Sequence, residues 1–335
     1  MPVPNPEGTD VLERAATWLA EGHRVALARV IDTWGSSPRP RGSVLAVRSD
    51  GNFAGSVSGG CVEGKVVEAA QQVLEGGPPR VLTFGVSNEE AWQVGLACGG
   101  TIRVYVEPVQ RERFEALLRA RRAKRPLVLF TELATGDAQL WTPGDSPLEG
   151  ARAQAARTAL ATDDAFSLEA GALFVQAFNP PLRLVLIGAV HISEALAAYA
   201  RIAGYDVTVI DPRAAFVRRE LFPGVEVIAE WPDEVLERLH LDHRTALITI
   251  THDPKIDDPA LEVALRSPAF YLGALGSAKT HAGRLARLAA KGFSEGELRR
   301  IHGPVGLKIG ARTPAEVALS ALAEVTLTLR TPGGA

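Results

Sequence analysis

Two thiols stand out for the company they keep. Cys61 ends the run Ser58-Gly59-Gly60-Cys61, and Cys98 opens the run Cys98-Gly99-Gly100. Glycine pairs raise no side chains around a sulfur, so a bulky group can approach it. The segment VEGKVVEAAQQVLEGG after Cys61 has helical spacing and is stopped by Gly76-Gly77 and Pro78-Pro79. The Cys61 sulfur should therefore lie near a helix N-terminus, whose N–H groups and dipole favour a thiolate. The plainer reading makes both cysteines small buried hydrophobes; the flanking Gly-Gly pairs favour chemistry. Asp32-Thr33-Trp34-Gly35-Ser36-Ser37-Pro38-Arg39-Pro40-Arg41-Gly42 adds hydroxyls, an aromatic face and two guanidinium groups within one turn. With Ser37, Arg39 and Arg41 as anion contacts, that composition suits an anionic, ring-bearing ligand.

A second set of polar residues lies in the C-terminal half. After the strand LRLVLIGA the chain reads Gly188-Ala189-Val190-His191-Ile192-Ser193, which keeps only the first glycine of G-x-G-x-x-G. Val190 stands where a pyrophosphate needs close backbone approach, and Ser193 replaces the glycine that permits tight helix packing. Asp211, 23 residues after Gly188, is placed to hold a ribose hydroxyl. Polar groups recur at the carboxyl ends of successive strands: His191, Asp211, Thr251-His252-Asp253 and Gly276-Ser277-Ala278-Lys279. Ligands of open parallel sheets sit at such ends, so these residues mark a binding crevice. His302 and Gly303 are expected to reach it from a Gly-rich loop. Metal-ligand clusters of acids, a G-x-S-x-G elbow and a G-x-x-x-x-G-K phosphate loop are absent from the sequence.

The elements that must position these residues fit a chain of 335 residues, 46% hydrophobic and 22% charged, which is enough for two cored domains. A formal net charge of -3 supplies no drive toward nucleic acid. Two cysteines cannot build a disulfide framework, the start MPVPNPEGTD lacks signal-peptide character, and the apolar runs are too short to span a bilayer. A cytoplasmic setting without membrane insertion follows. Residues 1–180 read as an α/β domain with a mixed sheet, with a hairpin turn at Asp50-Gly51-Asn52. The basic run RERFEALLRARRAKR, residues 111–125, reads as an amphipathic surface helix, because Phe114, Leu117 and Leu118 recur at helical spacing. Asn179-Pro180-Pro181 is a hinge. Residues 181–335 alternate strands and helices, which indicates a Rossmann-like, doubly wound parallel sheet. Its last helix starts with Thr313 as N-cap and Pro314 at the first helical position.

In order and content, GSSPRPRGS, GSVSGGCVEG, FGVSNEEAWQVGLACGGTIRVYVEP, VLIGAVHISEAL, THDPKIDDPAL, YLGALGSAKT and IHGPVGLKIGARTPAEVALS resemble the xanthine dehydrogenase accessory proteins, the XdhC and CoxI group. The resemblance covers nearly the whole chain. Val190 stands where many members have glycine, and Lys308 where many have Asp; both weigh against nucleotide binding in the second domain. The resemblance implies a chaperone in preference to a catalyst. Such a protein binds the molybdenum cofactor, protects it while a sulfido ligand is installed with a cysteine desulfurase, and assists its insertion into a molybdenum hydroxylase apoenzyme. Cys61 and Cys98 would then lie near the molybdenum or sulfur. Two other readings stay open: an NAD(P)-dependent oxidoreductase built on Asp211, and an interaction scaffold using the basic helix. A homodimer is the expectation from the prevalence of such assemblies.

Overall fold

The computed structural model describes residues 10–35, 39–85 and 100–331. These divide into two compact units, the first ending at Pro180 and the second beginning at Pro181.

In the first unit, strands β1 (Val25–Trp34), β2 (Val44–Arg48), β3 (Phe53–Gly55), β4 (Arg80–Phe84) and β5 (Thr101–Pro108) form one sheet in the order β3-β2-β1-β5-β4. Strands β6 (Leu127–Glu132), β7 (Ala138–Trp141), β8 (Ala165–Leu168) and β9 (Leu173–Phe178) form another in the order β7-β6-β9-β8. The pairings are antiparallel in both sheets, in place of the mixed pairing expected. Short connections account for β1–β2, β2–β3, β6–β7 and β8–β9, since a parallel neighbour needs a long crossover whereas a few residues suffice to reverse the chain. At the β2–β3 turn the Asp50 carboxylate accepts from the Asn52 N–H at 3.1 Å, and the Arg48 N–H donates to the Asn52 carbonyl at 2.8 Å.

Among the described residues, four α-helices accompany these sheets: α1 (Val11–Ala20), α2 (Glu63–Leu74), α3 (Arg111–Arg122) and α4 (Gly150–Thr162). Helix α2 buries Val66, Ala70 and Val73 against Val30, Leu45 and Val104 of the five-stranded sheet. Helix α3 buries Phe114, Leu117 and Leu118, as its spacing predicts. Its arginines are spent on α1: Arg121 donates to both oxygens of Asp10, and Arg122 to both oxygens of Glu13. With Arg113 donating to Glu107 of β5, three cations of the basic run meet acids of their own unit.

The second unit holds β10 (Arg183–Ile187), β11 (Asp206–Ile210), β12 (Glu226–Ile228), β13 (Thr245–Thr249), β14 (Tyr271–Ala274) and β15 (Ile301–His302). All are parallel, in the order β12-β11-β10-β13-β14-β15. This is the doubly wound order, whose chain direction across the sheet reverses between β10 and β13. Helices α5 (His191–Ile202) and α10 (Pro314–Arg330) cover one face, while α6 (Pro232–Leu239), α7 (Pro254–Leu265) and α8 (Ala278–Ala290) cover the other. A one-turn helix α9 (Glu295–Leu298) precedes β15. Thr313 caps α10 in a reciprocal box with Glu316, behind Pro314 at the first turn. Sequence reading passes over α8, α9 and β15. Helix α8 carries a glycine and few large apolar residues, and β15 is only two residues long. No described helix is long and apolar enough to cross a membrane.

Candidate functional site

The loop between β3 and α2 carries Ser58, Gly59, Gly60 and Cys61, and one residue organises it. Glu63, at the first turn of α2, is only 6% exposed, and its carboxylate faces back into the loop. One oxygen accepts from the Ser56 hydroxyl at 2.7 Å, the Val57 N–H at 3.1 Å and the Ser58 N–H at 2.9 Å. The other accepts from the Ser58 hydroxyl at 2.5 Å, the Gly60 N–H at 2.9 Å and the Val62 N–H at 3.2 Å. Burial alone would raise this carboxyl, but the donors outweigh it and hold it at about 2. Gly59 and Gly60 take φ of +82° and +119°, backbone that lets the N–H groups turn inward onto the carboxylate.

The loop thus corrects an expectation. Instead of serving a thiolate or an incoming ligand, the N–H groups of Val57, Ser58, Gly60 and Val62 already serve Glu63. The Cys61 N–H donates to the Ser58 hydroxyl at 3.0 Å, and the Gly59 N–H to the Ser56 hydroxyl at 2.8 Å. Ser58 is a buried scaffold residue, not a surface contact. What the loop presents outward is Gly59, Gly60 and an exposed Cys61, with nothing within 4 Å of where a Gly60 side chain would begin. Easy access to this sulfur is retained, and it sits on a rigid support.

Of the arginine turn, Arg41 donates to Asp164 at 2.9 Å, and Arg39 is half-buried. Trp34, at the end of β1, is 75% exposed and pairs in register with Thr101, next to Gly100. Ser37, Cys98 and Gly99 lie outside the described residues.

At the second unit's rim, Gly188 follows β10 with φ +116°, and a Cβ there would meet the Thr251 methyl at 2.7 Å. Two strand ends approach closely at this point because one of them lacks a side chain. Ser193 is fully buried, and its hydroxyl donates to the Gly188 carbonyl, so this serine fills the tight helix–strand contact that a glycine would otherwise allow. Asp211 is fully buried too. It accepts from the Ala189 N–H at 2.8 Å, the Arg213 N–H at 3.0 Å, and the Arg213 guanidinium at 2.9 and 2.7 Å. Burial pushes this carboxyl up, while Arg213 and the two backbone donors pull it further down, leaving it below the ordinary range. A ribose hydroxyl would have to displace Arg213, which also stacks 4.1 Å over the Phe216 ring.

His191 is exposed and lies 3.1 Å from Glu194. Asp253 and Ser277 cap α7 and α8 through their side chains, accepting from the Lys255 and Thr280 N–H groups, and Gly276 packs against Thr280. His252, exposed with φ +62°, stands at the mouth of a cavity of about 290 Å³ between these two helices. His302 takes no part in this rim: it stacks on Tyr271 with centroids 4.6 Å apart and pairs with Glu324 of α10 at 3.5 Å. Gly303 is pressed against the His281 ring. Sequence reading missed Glu63, Asp257 and Arg284, the buried charges of these sites. Only Glu63 left a local signal, an acid in the first turn after a glycine-rich loop.

Residues 18–85 match the XdhC and CoxI family, and residues 184–325 match the XdhC Rossmann domain. Over 316 residues the chain is 29% identical to the molybdenum cofactor insertion chaperone PaoD of Escherichia coli, covering 94% of this chain and 86% of that protein. It is 26% identical over 323 residues to a probable xanthine dehydrogenase subunit of Bacillus subtilis, covering 92% and 94%. It is 28% identical over 312 residues to the uncharacterized protein YqeB of Escherichia coli, but spans only 44% of that protein's length. The crystal structure of a xanthine dehydrogenase from Bacillus halodurans has the same fold, with a TM-score of 0.78, 25% identity and 96% of each chain covered. With both family matches in chain order and the fold shared across nearly its full length, this chain belongs to the XdhC and CoxI family.

Proposed function

We propose that this protein is a molybdenum cofactor chaperone: it binds the cofactor as cargo, shelters it while a cysteine desulfurase supplies the sulfido ligand, and delivers it to a molybdenum hydroxylase. The carrying observation is the similarity to the chaperone PaoD, which runs through 94% of this chain. The geometry of the first unit supports the reading. An exposed Cys61 on a loop pinned by Glu63 offers a soft sulfur at a defined position, and the glycines beside it leave room for a large ligand. Arg39, Arg41, Ser37 and Trp34 would contact the anionic pterin, with Arg41 exchanging Asp164 for the ligand; Cys98-Gly99-Gly100 would supply the second thiol.

The test is anaerobic purification from cells that make the cofactor, followed by molybdenum and pterin analysis. Molybdenum and pterin in comparable amounts are expected, with a marked loss of molybdenum in Cys61→Ser combined with Cys98→Ser. Protein free of both would overturn the reading, and normal loading and client activation by the double variant would overturn the thiol role. The rival NAD(P) oxidoreductase needs an Asp211 whose oxygens already bond Arg213 and Ala189. Calorimetric titration with NADH and NADPH should therefore be silent, and micromolar binding would reinstate that rival.

A further inference from the structure

Helix α10 covers the sheet of the second unit with Ala318, Ala321, Leu322 and Val325. The outer side of such a helix is ordinarily charged. Here the sole charged residue from Val317 to Leu329 is Glu324. It turns inward, where it accepts from the Tyr271 hydroxyl at 2.5 Å and the Gly306 N–H at 2.8 Å. The outer side carries instead Leu319, 52% exposed, Leu327, 48% exposed, and Ala323 between them. Spaced four residues apart, these three lie along one ridge of the helix surface. The preceding loop adds to it. The Leu307 N–H donates to the Ser320 carbonyl of α10 at 3.2 Å, and Ile309, two residues on, is 54% exposed. Grouped apolar surface of this kind marks a place where another molecule docks.

The charges at the two ends say what that molecule is. Glu316 stands in the first turn of α10 and Arg330 in the last, both exposed. Glu316 Oε2 accepts from the Arg312 and Thr313 N–H groups at 2.7 and 2.9 Å, and among the described residues neither Glu316 nor Arg330 forms an ion pair. The pattern is symmetric about Ala323: Leu319 and Leu327 lie four residues to either side of it, and Glu316 and Arg330 seven. A two-fold axis at Ala323 that sets two α10 helices antiparallel lays Leu319 on the partner's Leu327 and Glu316 beside the partner's Arg330, each contact occurring twice. Alanine at the crossing lets the helix axes approach closely, and each N-terminus comes beside a C-terminus, so the dipoles favour the same arrangement. A parallel pairing in register would set Glu316 against Glu316 and Arg330 against Arg330, which charge repulsion disfavours.

We propose that the outer face of α10 is a homodimer surface that takes a second copy of this chain, antiparallel, with Ala323 on the two-fold axis. One helix and one loop from each copy cover less than the roughly 1,600 Å² of a standard interface, so the dimer dissociates in the micromolar range.

Sedimentation velocity of the full-length protein from about 1 to 300 µM should show monomer passing into dimer. Leu319→Glu places a charge on the partner's Leu327, and Arg330→Glu places one beside the partner's Glu316; each should weaken association at least about tenfold. Both positions are exposed, and circular dichroism checks that the helix is retained. The register has its own readout. Ala323→Cys under mild oxidation should cross-link through residue 323 of both copies, identified by mass spectrometry of the joined peptide, because only thiols whose Cα atoms come within about 7 Å can bridge. Ala289→Cys, exposed on α8 over the other face of the sheet, should not. Monomer throughout the concentration range, which would leave this face to a different protein, a dimer left intact by either charged substitution, or cross-linking no faster at 323 than at 289 would each overturn the proposal. None of these measurements involves pterin or molybdenum, so failure here is distinguishable from failure of the chaperone reading.

Discussion

Replacing Glu63 by Gln keeps the shape of the side chain and removes the charge on which the Cys61 loop converges. A carboxylate offers two accepting oxygens, and here each takes three donors. An amide offers one oxygen and turns an NH₂ toward the other three. In either orientation two backbone N–H groups lose their acceptor, Val57 and Ser58 or Gly60 and Val62. At about 1 kcal/mol per lost bond, with partial rescue by water at the open Gly60 edge, the loop should lose about 2–3 kcal/mol. The titration behaviour gives the same order. A carboxyl held at about 2 instead of 4.5 corresponds to about 3 kcal/mol before solvent screening, and about 2 after it.

The sign of the pH dependence follows. The folded carboxyl is depressed, so its stabilisation is complete well above pH 4.5 and is lost as pH falls toward about 2. The assay is hydrogen exchange of the amides of residues 57–62, which reads opening of this loop without assuming that two units unfold together. At pH 7 the wild-type amides should be protected about 30- to 100-fold more than those of Glu63→Gln, and the difference should shrink by more than half near pH 3. A difference below about threefold at neutral pH, or one that does not change with pH, would refute the assignment of Glu63 as the organiser of the loop.

Other consequences are as specific. Gly188→Ala should destabilise the second unit by about 2–4 kcal/mol in urea unfolding, because its Cβ would lie 2.7 Å from the Thr251 methyl at a φ of +116°. Thr251→Ser should recover part of that loss by removing the methyl. In the first unit, Arg29 is buried with Nη2 2.5 Å from Glu107, which also accepts from Arg113 at 2.7 Å. Glu107→Gln, which weakens the partner of a buried guanidinium, should cost about 3–5 kcal/mol by chemical denaturation, and Arg29→Met distinctly less because Glu107 keeps Arg113. Asp211→Asn should cost about 2 kcal/mol at neutral pH, and the wild-type advantage should fade in acid as pH drops below 3.8, as followed by thermal melting between pH 7 and 3.

Much of the fold was legible because its determinants are local. The cap and first-turn proline of α10 lie within four residues of one another, and the alternation of apolar runs with helical segments is enough to indicate a parallel sheet. The first unit's antiparallel pairing was less legible, since strand-like runs state burial and length but not direction. The roles of the acids were hidden for a different reason. Asp211 is correctly placed for a ribose in the linear pattern, but Arg213, two residues on, folds back onto it, and only burial of the carboxylate makes that pair exclusive.

By itself the sequence determined that there are two cored units, that the second is a Rossmann-like sheet with one glycine left in its turn, and that Cys61 leads into a helix flanked by glycine. Only the tertiary structure decided which of these groups remain available. The loop donors around Cys61 converge on Glu63, Arg41 meets Asp164 from 123 positions away, and Arg284 is enclosed 3.9 Å from Asp257. Residue type sets what a group can donate or accept. Whether that capacity is spent inside the protein or kept for a ligand depends on distance, direction and the exclusion of water, which come into being when remote segments pack together.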